Sequence, residues 1–152
     1  MRYRISADLL AQTFSLFRTC GMGRRECQVV WTSAWANPDL ISEVVHPRHR
    51  AHVGGFEIDS TWINEFWLEL VRGGRGIRVQ VHTHPYEAFH SAIDDAYPII
   101  HSAGFLSLVI PRFAQGCVGF EDAYLTEIQA DGAWRKVPIS AHLEVIHDCT
   151  AS

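Results

Sequence analysis

The sequence predicts an α+β domain in which a mixed β-sheet is flanked by helices. Two observations indicate this class. Apolar residues recur at helical spacing in separate segments, and short runs rich in valine and isoleucine lie between and after those segments. The elements do not follow the strict strand–helix–strand alternation of an all-parallel sheet. A length of 152 residues predicts a single domain over residues 1–152.

Helical patterns occupy three segments of the chain. The first predicted helix covers residues 6–19, and Gly21 follows where a helix should stop. Ser60 or Thr61 is expected to cap a second helix that runs to about residue 71. Residues 91–100 are expected to form a third, short helix. From about residue 140 the tail is predicted to be a short helix or disordered.

The predicted strands are short and separated by turn residues. A hairpin turn is expected at Asp131 and Gly132. The strand at residues 77–81 should deliver the next residues, 82–85, to a loop at its end. The strands are expected at residues 28–36, 41–45, 56–58, 77–81, 106–110, 117–120, 124–129 and 134–137.

Charge and composition exclude several functional classes. The net charge is −4 and the chain has no sustained basic run, so nucleic acid is not expected as a partner. No stretch approaches the ~18 apolar residues that would cross a bilayer. The N-terminus lacks the pattern of a signal peptide, which favours the cytoplasm. The four cysteines show no CxxC spacing, so reduced and mostly buried thiols are expected.

The chemically informative segment is residues 81–95. His82 and His84 are two positions apart at a predicted strand end, where both side chains can turn toward one ion. Imidazole is a standard zinc ligand, and a carboxylate can complete a set of three that leaves a fourth position open for water. The segment contains no cysteine, which disfavours a structural zinc finger and a nucleobase deaminase. By itself the histidine pair also fits ordinary polar residues near a turn.

Two further positions admit two interpretations. Ser91 and Asp94 have the spacing of a helix cap and a first-turn acid, with or without a metal nearby. Glu26 follows Arg24 and Arg25, and taken alone this group is typical of a solvated charge cluster.

The joint pattern of Glu26, His82-x-His84-Pro85 and Ser91-x-x-Asp94 resembles the JAMM motif of MPN+ metallopeptidases, which include bacterial JAB-domain proteins. The resemblance implies a cytidine-deaminase-like JAB/MPN architecture. It also implies that His82, His84 and Asp94 ligate one zinc ion per chain. Ser91 would help to stabilise the oxyanion, and Glu26 would act as general base and acid.

One spacing departs from the family pattern. Six residues separate His84 from Ser91, whereas seven are common in the family. If the loop is one residue shorter, Ser91 and Asp94 keep their mutual spacing and their roles. If the distance from His84 governs instead, Asp95 becomes the ligand. We favour Asp94, because helix geometry fixes the offset between serine and aspartate.

The resemblance implies zinc-dependent hydrolysis of an isopeptide or peptide bond at the C-terminal tail of a ubiquitin-like or sulfur-carrier protein. A zinc-bound water would be the nucleophile, and Glu26 would take its proton and pass it to the leaving amine. Residues 46–56 are the candidate region for substrate selection. Two alternatives are a small-molecule or short-peptide amidohydrolase with the same zinc site, and a non-catalytic MPN binding scaffold. No oligomeric state is predicted.

Overall fold

The computed structural model describes residues 2–52, 55–91, 94 and 98–147. Within these ranges the chain forms two long helices, α1 (Ala7–Gly21) and α2 (Ser60–Gly73), and a short C-terminal helix α3 (Ile139–His142). The strands are β1 (Tyr3–Ser6), β2 (Gln28–Ala34), β3 (Glu43–Val45), β4 (His49–His52), β5 (Gly55–Ile58), β6 (Arg75–Thr83), β7 (Leu106–Ile110), β8 (Tyr124–Ile128), β9 (Trp134–Lys136) and β10 (Leu143–Ile146).

A six-stranded sheet organises the molecule. Its strand order is β3-β2-β6-β7-β8-β9, and β6 and β7 run parallel whereas the other neighbours are antiparallel. Two-stranded sheets join β1 to β10 and β4 to β5. The predicted α+β class with a mixed sheet is therefore confirmed.

Helices cover both faces of this sheet. Side chains of α1, including Phe14 and Phe17, pack with Val79 and Val81 of β6 in one buried cluster. Phe66 and Leu70 of α2 pack in a second cluster with Val30 of β2. Because side chains alternate along a strand, Gln80 and His82 lie on the α2 face of the sheet. The alternation thus determines the face on which His82 is presented.

The helix ends follow from local chemistry. The Ser6 hydroxyl caps α1 by accepting a hydrogen bond from Leu9 N at 3.1 Å. The cap of α2 is Asp59, whose carboxylate accepts from Trp62 N at 2.8 Å, so the prediction of Ser60 or Thr61 was one or two residues late. Gly74 ends α2 in the left-handed conformation that glycine adopts without steric cost.

Several sequence-based boundaries differ from the structure. Strand β6 runs on to Thr83, so His82 lies inside the strand rather than in a loop after it. Residues 117–120 do not form a strand. Strand β1 was not predicted; it pairs in parallel with β10, which lies in the tail that was predicted to be helical or disordered. Residues 92, 93 and 95–97 of the third predicted helix and part of the 46–56 region fall outside the described residues, and residues 98–100 are not helical.

The prediction of reduced cysteines was wrong for two of the four. Cys20 and Cys27 form a disulfide, with their Cα atoms 6.3 Å apart. Cys117 is a free, buried thiol, and Cys149 lies outside the described residues. The bond joins the last turn of α1 to the residue before β2, which are seven positions apart in sequence. This pairing depends on how α1 meets the sheet, and sequence spacing does not reveal it.

No helix within the described ranges combines the length and the apolar character that a membrane span requires.

Candidate metal centre

The two histidines lie at the end of β6, in the middle of the sheet. His82 is paired with Gln28 of β2 on one side and with Val109 of β7 on the other. The side chains of His82 and His84 share a face of the strand and are 1% and 4% exposed. Strand pairing on both sides therefore fixes the backbone of His82, and burial protects both imidazoles from bulk water.

Asp94 meets both histidines. Its Oδ2 atom lies 3.2 Å from His82 Nε2 and 3.2 Å from His84 Nε2. The same oxygen accepts a hydrogen bond from Ser91 N at 2.9 Å, and Asp94 N donates to Ser91 Oγ at 3.1 Å. These reciprocal bonds have the pattern of a capping box, which fixes the carboxylate relative to the turn that carries it.

The surroundings of Asp94 favour its ionised form. Burial by itself would raise the pKa of this carboxyl. Hydrogen bonds from His82 and His84, the positive charge that His82 can carry and the Ser91 N–H outweigh burial and hold the pKa well below its ordinary value. A carboxylate that stays ionised is the state that a metal ligand requires.

The three side chains fit a divalent transition metal. One ligand atom from each of His82, His84 and Asp94 can be chosen so that all lie within 4.8 Å of one another. Zinc bond lengths of about 2.0–2.2 Å imply separations of roughly 3.3 Å between tetrahedral ligand atoms. The 3.2 Å between Asp94 Oδ2 and each imidazole nitrogen is close to that value. Two nitrogens and one oxygen are a donor set typical of a catalytic zinc site with one open position.

The remaining candidates are Glu26, which precedes β2, and Ser91, which contacts Asp94. Glu26 is half-buried and directly precedes Cys27, which exchanges bonds with Thr83. Glu26 thus lies two positions before Gln28, the β2 partner of His82. Ser91 supplies both its backbone N–H and its hydroxyl to Asp94, so the structure shows it as the residue that orients the carboxylate.

A buried polar network behind the histidines was missed by the sequence analysis. Gln80 donates to Ser107 Oγ at 3.0 Å and accepts from Ile99 N at 3.1 Å. His90 Nε2 lies 3.2 Å from the same Ser107 hydroxyl. These contacts anchor the Asp94 loop to the sheet on both sides of the ligand. The signal was present in the alternation along β6, which puts a glutamine on the same face as His82.

Phe89 is a second residue that the sequence did not single out. Its ring meets the edge of the His84 ring at a centroid distance of 4.6 Å, yet half of the side chain is exposed, at 51%. It therefore covers one side of the His84 ring with an apolar surface.

Asp94→Asn is expected to weaken metal binding far more than Asp95→Asn does. An amide keeps the size of Asp94 but removes the negative charge at the oxygen that lies between the two imidazoles. Zinc titration of the metal-free variants by calorimetry measures both affinities. A larger loss in Asp95→Asn would show that the distance from His84 sets the ligand, and that Ser91 and Asp94 are only a helix cap.

Comparisons with known proteins agree with this geometry. No family model matches the sequence. A Sinorhizobium fredii protein named as a probable metalloprotease is 27% identical over 137 residues, which cover 86% of this chain and 84% of that protein.

Similar solved structures extend over nearly the whole chain. A JAB1/MPN domain protein from Archaeoglobus fulgidus has a TM-score of 0.55 at 14% identity, covering 95% of this chain and 98% of its own. A protein from Desulfitobacterium hafniense has a TM-score of 0.65 at 12% identity, covering 96% and 92% of the two chains. At these identities, the likeness establishes a shared fold.

Proposed function

We propose that this chain belongs to the JAMM/MPN family and is a zinc-dependent hydrolase of amide bonds. Its likeness in sequence to a probable metalloprotease and in fold to a JAB1/MPN domain protein supports this proposal. The observation that carries the proposal is the meeting of His82, His84 and Asp94 at the end of β6. Three protein ligands leave room for a reacting oxygen, whereas a purely structural site would have four.

The chain's own residues divide the remaining work. A zinc ion bound there supplies a Lewis acid and makes water nucleophilic at neutral pH. Glu26 accepts the proton of the attacking water and passes it to the leaving nitrogen. Ser91 holds Asp94 in place, and its hydroxyl is free to rotate and donate to the oxyanion, the negatively charged oxygen that develops on the scissile carbonyl. Phe89 limits the access of bulk water from the side of His84.

The proposed substrate is the extended C-terminal tail of a ubiquitin-like or sulfur-carrier protein, cleaved at its peptide or isopeptide bond. Support comes from β3, which is an edge strand of the six-stranded sheet. Val45 of β3 pairs with Val30 of β2 in antiparallel register. The direction of β3 therefore leads beyond Val45 toward Gln28, which pairs with His82 at the end of the sheet that carries the candidate metal ligands. An extended peptide can pair with such an edge through its main chain.

Cleavage is expected directly after a tail that ends in glycine, because a residue without a side chain lets the scissile carbonyl approach the buried ligands. Fusions of a ubiquitin-like protein with tryptophan at either of the last two tail positions should be cut far more slowly than the glycine parent. Initial rates followed by gel electrophoresis or mass spectrometry measure this. Tail substitutions far upstream serve as the control.

The same panel separates the alternative functions. Equal cleavage of tryptophan and glycine tails would contradict tail specificity, and hydrolysis of amino-acid amides or short peptides alone would favour a small-molecule amidohydrolase. A protein that binds tails but cleaves none of the panel when loaded with zinc would be a binding scaffold.

A further inference from the structure

Cys27 is the residue through which the Glu26 segment is joined to β6. Its side chain is fully buried. Its N–H donates to the Thr83 hydroxyl at 3.0 Å, and its carbonyl accepts from Thr83 N at 3.0 Å. Its sulfur is bonded to Cys20 at the end of α1. The backbone N–H, the carbonyl and the side chain of Cys27 are therefore all bonded to other elements of the fold.

The bond to the Thr83 hydroxyl replaces a regular rung of the sheet. In an antiparallel ladder, a backbone N–H donates to a main-chain carbonyl of the neighbouring strand. Here His84 is held from the β7 side, because His84 N donates to Ile110 O at 2.9 Å and His84 O accepts from Phe113 N at 2.9 Å. Hydrogen-bonded and non-hydrogen-bonded pairs alternate along an antiparallel ladder, so a Glu26–His84 pair would carry no main-chain bond, and Cys27–Thr83 is the last position at which a bond can tie the two strands. A side-chain hydroxyl takes over the bond at the last position before the strands separate.

From this arrangement we infer that Thr83 and the Cys20–Cys27 disulfide are positioning groups for Glu26. The hydroxyl ties the residue after Glu26 to the residue between the two metal-ligating histidines. The disulfide ties that same residue to α1. Together they set the distance between the base and the three ligands, although neither group touches the reacting atoms. This inference rests on the proposed function, because it assigns the groups that orient its general base.

The expected consequence is a selective loss of turnover. A general base must lie within hydrogen-bond reach of its proton, at about 2.6–3.2 Å. Misplacement by about 1 Å can cost on the order of 10²-fold in rate. The histidines and Asp94 have their own supports in β7, Ser91 and the Gln80 network. Loosening Cys27 should therefore move Glu26 while the metal ligands stay in place.

Thr83→Val is the central variant, because valine keeps the branched shape and removes the hydroxyl. Thr83→Ser keeps the hydroxyl and serves as the rescue, and Cys20→Ser removes the disulfide alone. Thr32→Val is the matched control, since Thr32 is a buried threonine of β2 whose hydroxyl bonds Glu43 at 2.9 Å, away from the three ligands. The measurements are amide hydrogen exchange at Cys27, zinc affinity, and kcat and KM on the tail fusion that the wild type cleaves fastest.

Thr83→Val is expected to raise exchange at Cys27 and to lower kcat by roughly 10–100-fold, with KM and zinc affinity within a few-fold of wild type. Thr83→Ser should restore both exchange and kcat, Cys20→Ser should lower kcat less than Thr83→Val, and Thr32→Val should change neither. Loss of zinc in parallel with kcat would place the effect on the histidines and overturn the inference. So would equal impairment by serine and valine, or unchanged exchange at Cys27.

The exchange measurement keeps this inference separate from the proposed function. If the zinc-loaded wild type cleaves no member of the panel, the proposed function fails. Exchange at Cys27 in Thr83→Val still decides whether the hydroxyl fixes this segment, because it requires no turnover. Unchanged exchange in that case would overturn the positioning role as well.

Discussion

Glu26→Gln is expected to keep its metal and to slow turnover by about 10²–10⁴-fold, the usual contribution of general acid–base assistance. Glutamine has the size of glutamate but cannot accept the proton of the attacking water. Glu26 is not one of the three candidate metal ligands, so the zinc content of the variant should not change. Steady-state kinetics and metal analysis on the same preparation measure both quantities.

Glu87→Gln is the matched control for this variant. Glu87 is exposed in the loop that follows His84, so its substitution removes the same charge without removing the proposed proton acceptor. Turnover of Glu87→Gln should stay near the wild-type value. If Glu26→Gln also retained activity within a few-fold of wild type, Glu26 would belong to the solvated cluster with Arg24 and Arg25.

His84→Ala is expected to lose the metal and all measurable hydrolysis. The variant leaves two of three ligands, and it removes one of the two imidazoles that stabilise the Asp94 carboxylate. The wild type should carry about one zinc per chain, and zinc should raise its thermal midpoint, because a ligand that binds only the folded state stabilises that state. Elemental analysis and thermal unfolding with and without added zinc test this.

His101→Ala provides the comparison, since His101 is an exposed histidine. It should bind zinc and respond to it as the wild type does. A wild-type protein that stays metal-free after reconstitution with zinc would contradict the hydrolase proposal. It would favour the binding scaffold instead.

The sequence predicted the fold most accurately where one local signal dominates. Helix α1 and strand β7 were placed within one or two residues, because their apolar residues keep a single period over the whole element. Strands β1 and β10 have only four residues each, and their parallel pairing requires the two ends of the chain to meet. Nothing local in either segment encodes that meeting.

At the site, sequence alone determined the residue types and their order: a glutamate before a strand, two histidines two positions apart, and a serine three positions before an aspartate. These spacings predict which side chains share a face, because strand alternation and helix geometry are local properties of the chain. The tertiary structure decided that Asp94 Oδ2 lies between both imidazoles, that Cys20 bonds Cys27, and that Thr83 holds the Glu26 segment. Each of these contacts joins segments from different elements, and their separation depends on packing across the sheet rather than on any spacing along the chain.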